Sequence, residues 1–343
     1  MKLSAVAVAY ICGVPPVWGC MDTARDPAGL AAEGPGRSAV ESLPESYEFM
    51  LAWGEPGDEP GQFQAVNSIA VAPDGTIYTG ELHGLRIQRF TSTGVFLDSW
   101  GEPGEEPGRF VGIRGLTVAP WGDVYVSDVH PGTGEPARIQ VFSPEGEFIR
   151  SFWQAGDGPD DFHMNWGLEI GPDGLLYVTD LNRGVLVFTR QGDFHSHWLY
   201  EPPLSSPSDI AFGWDAALAM DVAYIHARGP VKYEPLGDLL LDGSGSGYST
   251  LHIATDNNDD IHVLRWSGPW HIEKRDSQFD LLALFGGHGT APGEFLDIAG
   301  LAVDDSGYVY AGDVTLNRIQ KFRKIPETSI AQTSWSTLKR SKH

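Results

Sequence analysis

Eleven histidines are spread along the chain, and three of them suggest chemistry. His83 and His130 each follow an acid by two positions, after Glu81 and Asp128, in matching stretches of sequence. With His252 they could supply the three nitrogens of a zinc site whose fourth position is open to water, although the spacing alone does not bring the three together. The run Asp256-Asn257-Asn258-Asp259-Asp260 offers oxygens of the kind calcium accepts. It lacks the glycine and distal glutamate of an EF-hand loop, and it reads as a solvated turn. A second set is Asn67, Arg114, Trp166, Ser208 and Ser249, with Ala299 at the sixth position. One cation, one large aromatic and several small polar groups suit an anionic or planar ligand. The alternative is that Trp166 simply fills space. A third set, Glu81, Asp128, Asp180, Arg265 and Asp313, recurs so regularly that it reads as structural. Its acids would accept backbone N–H groups or pair with Arg86, Arg138, Arg183 and Arg318. No glycine-rich phosphate loop, G-x-S-x-G elbow or Cys-His pair is present.

These residues are comparable because the chain repeats itself. GEPGDEPGQF at Gly54–Phe63 returns as GEPGEEPGRF at Gly101–Phe110. After each closing Phe comes an alternating apolar strand, a turn of the Pro-Asp-Gly kind and a second strand ending in an acid. A third strand resembling Arg-Ile-Gln and, after a Gly turn, a fourth strand complete the unit. Units starting near Asn67, Arg114, Trp166 and Ala299 are plain, and two degenerate units start near Ser208 and Ser249. Gly at these hairpin turns supplies the positive φ they require. Four short antiparallel strands in each unit of roughly 40–50 residues describe a propeller blade. The fold class is therefore all-β, a six-bladed propeller over residues 45–323. The last unit lacks its fourth strand, and YEFMLAWG (Tyr47–Gly54) matches the missing pattern. The N-terminal strand is thus expected to close the last blade and remove an open edge. The repeated loops would join the outermost strand of one blade to the innermost strand of the next. The first two sets of residues would then lie at the channel mouth and in the loops.

The chain has 343 residues and a formal net charge of −23, which repels a phosphate backbone and argues against a nucleic-acid partner. Residues 1–19 combine a basic start with a short apolar run, the pattern of an export signal. The only two cysteines, Cys12 and Cys20, fall in this region. Val17-Trp18-Gly19-Cys20 resembles the lipobox of bacterial lipoproteins, in which the cysteine becomes lipid-modified at the new N-terminus. Trp18 and the nearby Pro15-Pro16 depart from the usual pattern. The expectation is an exported chain held on the extracytoplasmic side through Cys20, or else secreted, with membrane contact only through the acyl chains. Residues 20–44 read as a flexible tether and 324–343 as a polar tail.

The blades resemble NHL repeats, with Gly108-Arg109-Phe110, Val124-Tyr125-Val126-Ser127-Asp128 and Arg138-Ile139-Gln140-Val141-Phe142 in one blade. The last blade has Val309-Tyr310-Ala311-Gly312-Asp313 and Asn317-Arg318-Ile319-Gln320-Lys321-Phe322. The resemblance implies the NHL type of six-bladed propeller and leaves function open. Related six-bladed enzymes, the peptidyl-hydroxyglycine amidating lyases, hold zinc with channel histidines. Here none of the innermost-strand starts carries His. The sequence reads first as a non-catalytic, monomeric binding or scaffold module for a protein, peptide or glycan, with no cofactor. The alternative is a channel enzyme, either a zinc- or calcium-dependent lyase or a lactonase-like hydrolase.

Overall fold

The computed structural model describes residues 43–129, 137–152, 165–180, 184–198, 207–226, 230–234, 239–242, 252–265 and 271–326. These residues form six four-stranded antiparallel sheets with no helix among them. The first strand, β1 (Tyr47–Trp53), belongs to the last blade. Blade one contains β2 (Val66–Val71), β3 (Ile77–Glu81), β4 (Ile87–Phe90) and β5 (Phe96–Trp100), and blade two β6 (Ile113–Val118), β7 (Val124–Val129), β8 (Ala137–Phe142) and β9 (Phe148–Phe152). Blade three has β10 (Asn165–Ile170), β11 (Leu176–Asp180), β12 (Gly184–Phe188) and β13 (Phe194–Trp198). The two degenerate units are also complete blades. They are β14 (Asp209–Asp215), β15 (Met220–His226), β16 (Pro230–Tyr233) and β17 (Leu239–Asp242), then β18 (Ile253–Thr255), β19 (Ile261–Arg265), β20 (His271–Arg275) and β21 (Leu281–Phe285). Blade six is β22 (Ile298–Val303), β23 (Val309–Asp313) and β24 (Arg318–Lys324), completed by β1 against β24. The closure runs from Tyr47 opposite Lys324 to Trp53 opposite Ile319. The expected architecture, including its N-terminal seam, is the one observed.

Alternation along each strand buries one row of apolar side chains against the next sheet. Tyr78 and Ile87 of blade one thus pack with Ile113, Val124 and Phe142 of blade two. Each such side chain contributes about 1.5–3 kcal/mol by leaving water. The repeated Gly-Pro loops carry exposed acids (Glu55, Asp58, Glu59, Glu102, Glu105, Glu106) and a wholly buried closing aromatic (Phe63, Phe110, Phe295). Glycine is obligatory at their start. Gly101 has φ +97°, and a Cβ there would sit 2.4 Å from the ring of Phe110.

The third set of residues fastens these loops. Asp128 is fully buried and accepts N–H groups from Val111 (2.8 Å) and Gly112 (3.0 Å), while Arg138 Nε meets its other oxygen at 2.8 Å. The guanidinium donates onward to the Arg109 carbonyl at 2.9 Å, and Gln140 bonds both that carbonyl and the Gly108 N–H. Glu81, Arg86 and Gln88 repeat the pattern in blade one. In blade six Asp313, Arg318 and Gln320 hold the loop that ends at Phe295. In blades one, two and six the repeated acid, Arg and Gln positions therefore hold the blade to the loop that enters it.

Candidate functional site

The six innermost strands, β2, β6, β10, β14, β18 and β22, pack side by side in a closed ring. In blades one, two, three and six the register slips near the start of this strand, at Val66/Ser68, Ile113/Leu116, Asn165/Leu168 and Ala299/Leu301. Bulges of this kind re-aim side chains, and they fall where the sequence places Asn67, Arg114, Trp166 and Ala299. Asn67 donates its amide to the Arg114 carbonyl at 3.0 Å and the Ile113 carbonyl at 3.4 Å, joining blade one to blade two. Arg114 on β6 is 6% exposed and Ser208, just before β14, is 8% exposed. Trp166 lies on β10. Ser249, His130 and Cys20 lie outside the described residues.

One step further along the innermost strands, register marks an equivalent position in every blade. The residue opposite the second-strand aromatic is Ala70, Thr117, Glu169, Ala211, Ala254 or Ala302. Glu169 is the single acid in this ring of small side chains. Thr117 lies within a weak 3.4 Å hydrogen bond of its Oε2. Glu169 keeps some accessible surface. Desolvation nevertheless raises its pKa to about 8, and the neighbouring Asp209 carboxylate adds to the rise. Its ladder partner Tyr177 packs toward blade four, so Glu169 lies on the innermost strand on the face turned to that blade.

Asp209 opens β14 and spans to the next blade. Its Oδ2 accepts the Ile253 N–H at 3.1 Å and lies 3.3 Å from His252 Nδ1. The other His252 nitrogen, Nε2, has no partner among the described residues. Thr117, Glu169, Asp209 and His252 thus link blades two to five along the innermost strands. The set combines a carboxyl that holds its proton near neutral pH with an imidazole oriented by a carboxylate. Such a set can donate a proton at one point and accept one at another. Strand starts alone did not reveal Glu169; the signal was its departure from Ala or Thr at the aligned position.

His83 is exposed in the turn after β3, in blade one, whereas His252 is in blade five. Among the described residues no three His, Cys, Asp or Glu side chains come together as metal ligands.

No family model matches the chain, and no curated protein matches it. Solved propellers do. A virginiamycin B lyase from Staphylococcus aureus superposes with a TM-score of 0.56 at 13% identity, covering 80% of this chain and 99% of the lyase. A Bacteroides thetaiotaomicron protein of unknown function gives 0.60 at 12% identity, covering 81% of this chain and 76% of that one. The PQQ-bound aldose sugar dehydrogenase from Streptomyces coelicolor gives 0.53 at 16% identity, covering 82% of this chain and 98% of the enzyme. At these identities the likeness establishes the six-bladed fold and nothing of the chemistry.

Proposed function

We propose that the chain is an exported propeller of the NHL type that binds a polar ligand, a peptide, a glycan or the tip of a protein partner, at the axial end of its channel. The observation that carries this reading is the convergence of Thr117, Glu169, Asp209 and His252 from four consecutive blades. A purely structural ring would keep Ala at the Glu169 position, as four other blades do. The test is thermal-shift screening of the full chain against defined peptides and oligosaccharides, repeated on Glu169→Gln and His252→Ala. A ligand whose stabilisation disappears in both variants supports the reading; hits indifferent to both overturn it.

A second reading is acid–base catalysis on such a ligand, of the lyase or lactonase-like kind. It is favoured by the Glu169 proton, retained up to about pH 8, close to the Asp209–His252 pair. Turnover of a screened ligand with a limb near pH 8 that Glu169→Gln abolishes would select it over binding alone. Export and anchoring through Cys20 rest on the apolar start and the lipobox-like Val17–Cys20 stretch. Cys20→Ser is expected to move the protein from the membrane pellet to the soluble fraction, and retention in the pellet would count against the anchor.

A further inference from the structure

Five blades place a buried tyrosine at the second-strand position that faces the innermost strand: Tyr78, Tyr125, Tyr177, Tyr224 and Tyr310. Blade five places His262 there. Its ring is fully buried, with Nε2 3.2 Å from Asp256 Oδ2. Across the ladder from it, Lys274 is 1% exposed and holds three carboxylates, Glu45 at 2.9 Å, Asp256 at 3.0 Å and Asp260 at 2.9 Å. The run read from sequence as a solvated turn therefore sends two of its acids inward. Around this break in the repeat lies a cavity of about 450 Å³, between the β18–β19 turn of blade five, the β22–β23 turn of blade six and the β1–β24 seam. That volume falls within the range of small-ligand sites, roughly 300–1,000 Å³.

The walls decide what fits. Tyr47 contributes aromatic surface, Asn258 contributes an amide, and Asp256 and Lys274 are its most deeply buried members. The cations in the walls already have partners. Lys274 has its three carboxylates, Lys324 has Glu45 at 2.6 Å and Arg323 has Glu48 at 2.5 Å. An anion would have to displace those carboxylates. A cation would approach three positive groups and would gain only the exposed rim carboxylate of Asp305. A neutral ligand rich in hydroxyl groups meets neither penalty, and it can use paired donors and acceptors against an aromatic wall.

We propose that this inter-blade cavity is a second binding site, separate from the channel, and that it takes a neutral saccharide. Tyr47 is the aromatic wall, held on one face by Phe285 at a ring-centroid distance of 4.2 Å. Asn258, exposed at the turn, is the rim group that reads hydroxyls, while Asn257 donates its amide to the Asp305 carbonyl and ties the two turns together.

The test is saturation-transfer NMR on the full chain with glucose, N-acetylglucosamine, maltose, cellobiose and diacetylchitobiose, and with inorganic phosphate as the charged probe. At least one sugar is expected to receive transfer, with affinity falling tenfold or more in Asn258→Ala, and unchanged in the channel variant His252→Ala. Asn258 is an exposed turn residue, so its variant keeps the fold. Absence of transfer to all five sugars overturns the proposal. So does binding that survives Asn258→Ala, binding lost in His252→Ala, or phosphate binding in preference to the sugars.

Discussion

Glu169 shows how one side chain makes the fold sensitive to pH. Its pKa rises from 4.5 in the unfolded chain to about 8 in the folded one. The folded state therefore binds this proton more tightly, so stability declines as pH climbs from about 4.5 to about 8 and is flat in this contribution above that. Glu169→Gln removes the titration. Melts at pH 5 and pH 8 are expected to show the variant gaining about 2 kcal/mol over the parent at the higher pH; this is less than the full shift implies, because the carboxyl keeps some accessible surface. Equal differences at both pH values would place the carboxyl in an ordinary environment. The Lys274 cluster behaves in the opposite sense. Desolvation works against the charged forms of Glu45 and Asp256, but it is outweighed and both pKa values stay low. At Glu45 this comes through the hydrogen bonds and charge of Lys324 and Lys274, and at Asp256 through the His262 hydrogen bond together with Lys274, burial keeping the His262 ring itself toward its neutral form. Their stabilisation is complete above about pH 4.5 and is lost as pH falls through their lowered values. Lys274→Met is expected to cost roughly 3–5 kcal/mol at pH 7, because buried carboxylates lose their cation. In denaturant melts at pH 4 the loss is expected to shrink as those acids begin to take up protons.

At the scale of elements, much of the architecture was legible before any coordinates, because each loop, turn and strand was written several times. Asp128 and Arg138 could be assigned a structural role from recurrence alone, and the observed bonds to the Val111 and Gly112 N–H groups give the mechanism, to which Gln140 adds a bond to the Gly108 N–H. Gln140→Ala is expected to loosen the loop at 101–110 and cost about 1–2 kcal/mol, by leaving the Gly108 N–H and the Arg109 carbonyl short of a partner. Faster hydrogen exchange confined to that loop would confirm the assignment. What was not legible is what recurs only once. Asp256 and Asp260 looked solvated because their partners are remote: Lys274 lies on another strand, and Glu45 is 229 residues away from it. Glu169 was not legible because a single acid in one blade, where the others carry Ala or Thr, has no recurrence to mark it. Local pattern predicts what local geometry determines, and tertiary partners of unique residues lie outside its reach.

At the scale of the molecule, the ring makes blade six different from the rest. Five blades are built from consecutive strands, whereas the sixth needs residues from both ends of the propeller. Deleting residues 45–54 removes β1 and with it Glu45, one of the three acids on Lys274, and exposes the β24 edge. The expected outcome is an early, separate melting step for blade six in calorimetry and concentration-dependent association; a single unchanged transition would contradict the role given to the seam. The same arrangement has a mechanical consequence. Tyr47 lies opposite Lys324, so the flanking chain enters and leaves the ring at one end of a single ladder. Tension between those two points loads the β1–β24 bonds in sequence, as a zipper, rather than all together as in shear. The first links to carry the load are the Glu45 ion pairs to Lys274 and Lys324. Under traction the ring would therefore part at its own clasp, with the other five blades outside the line of force.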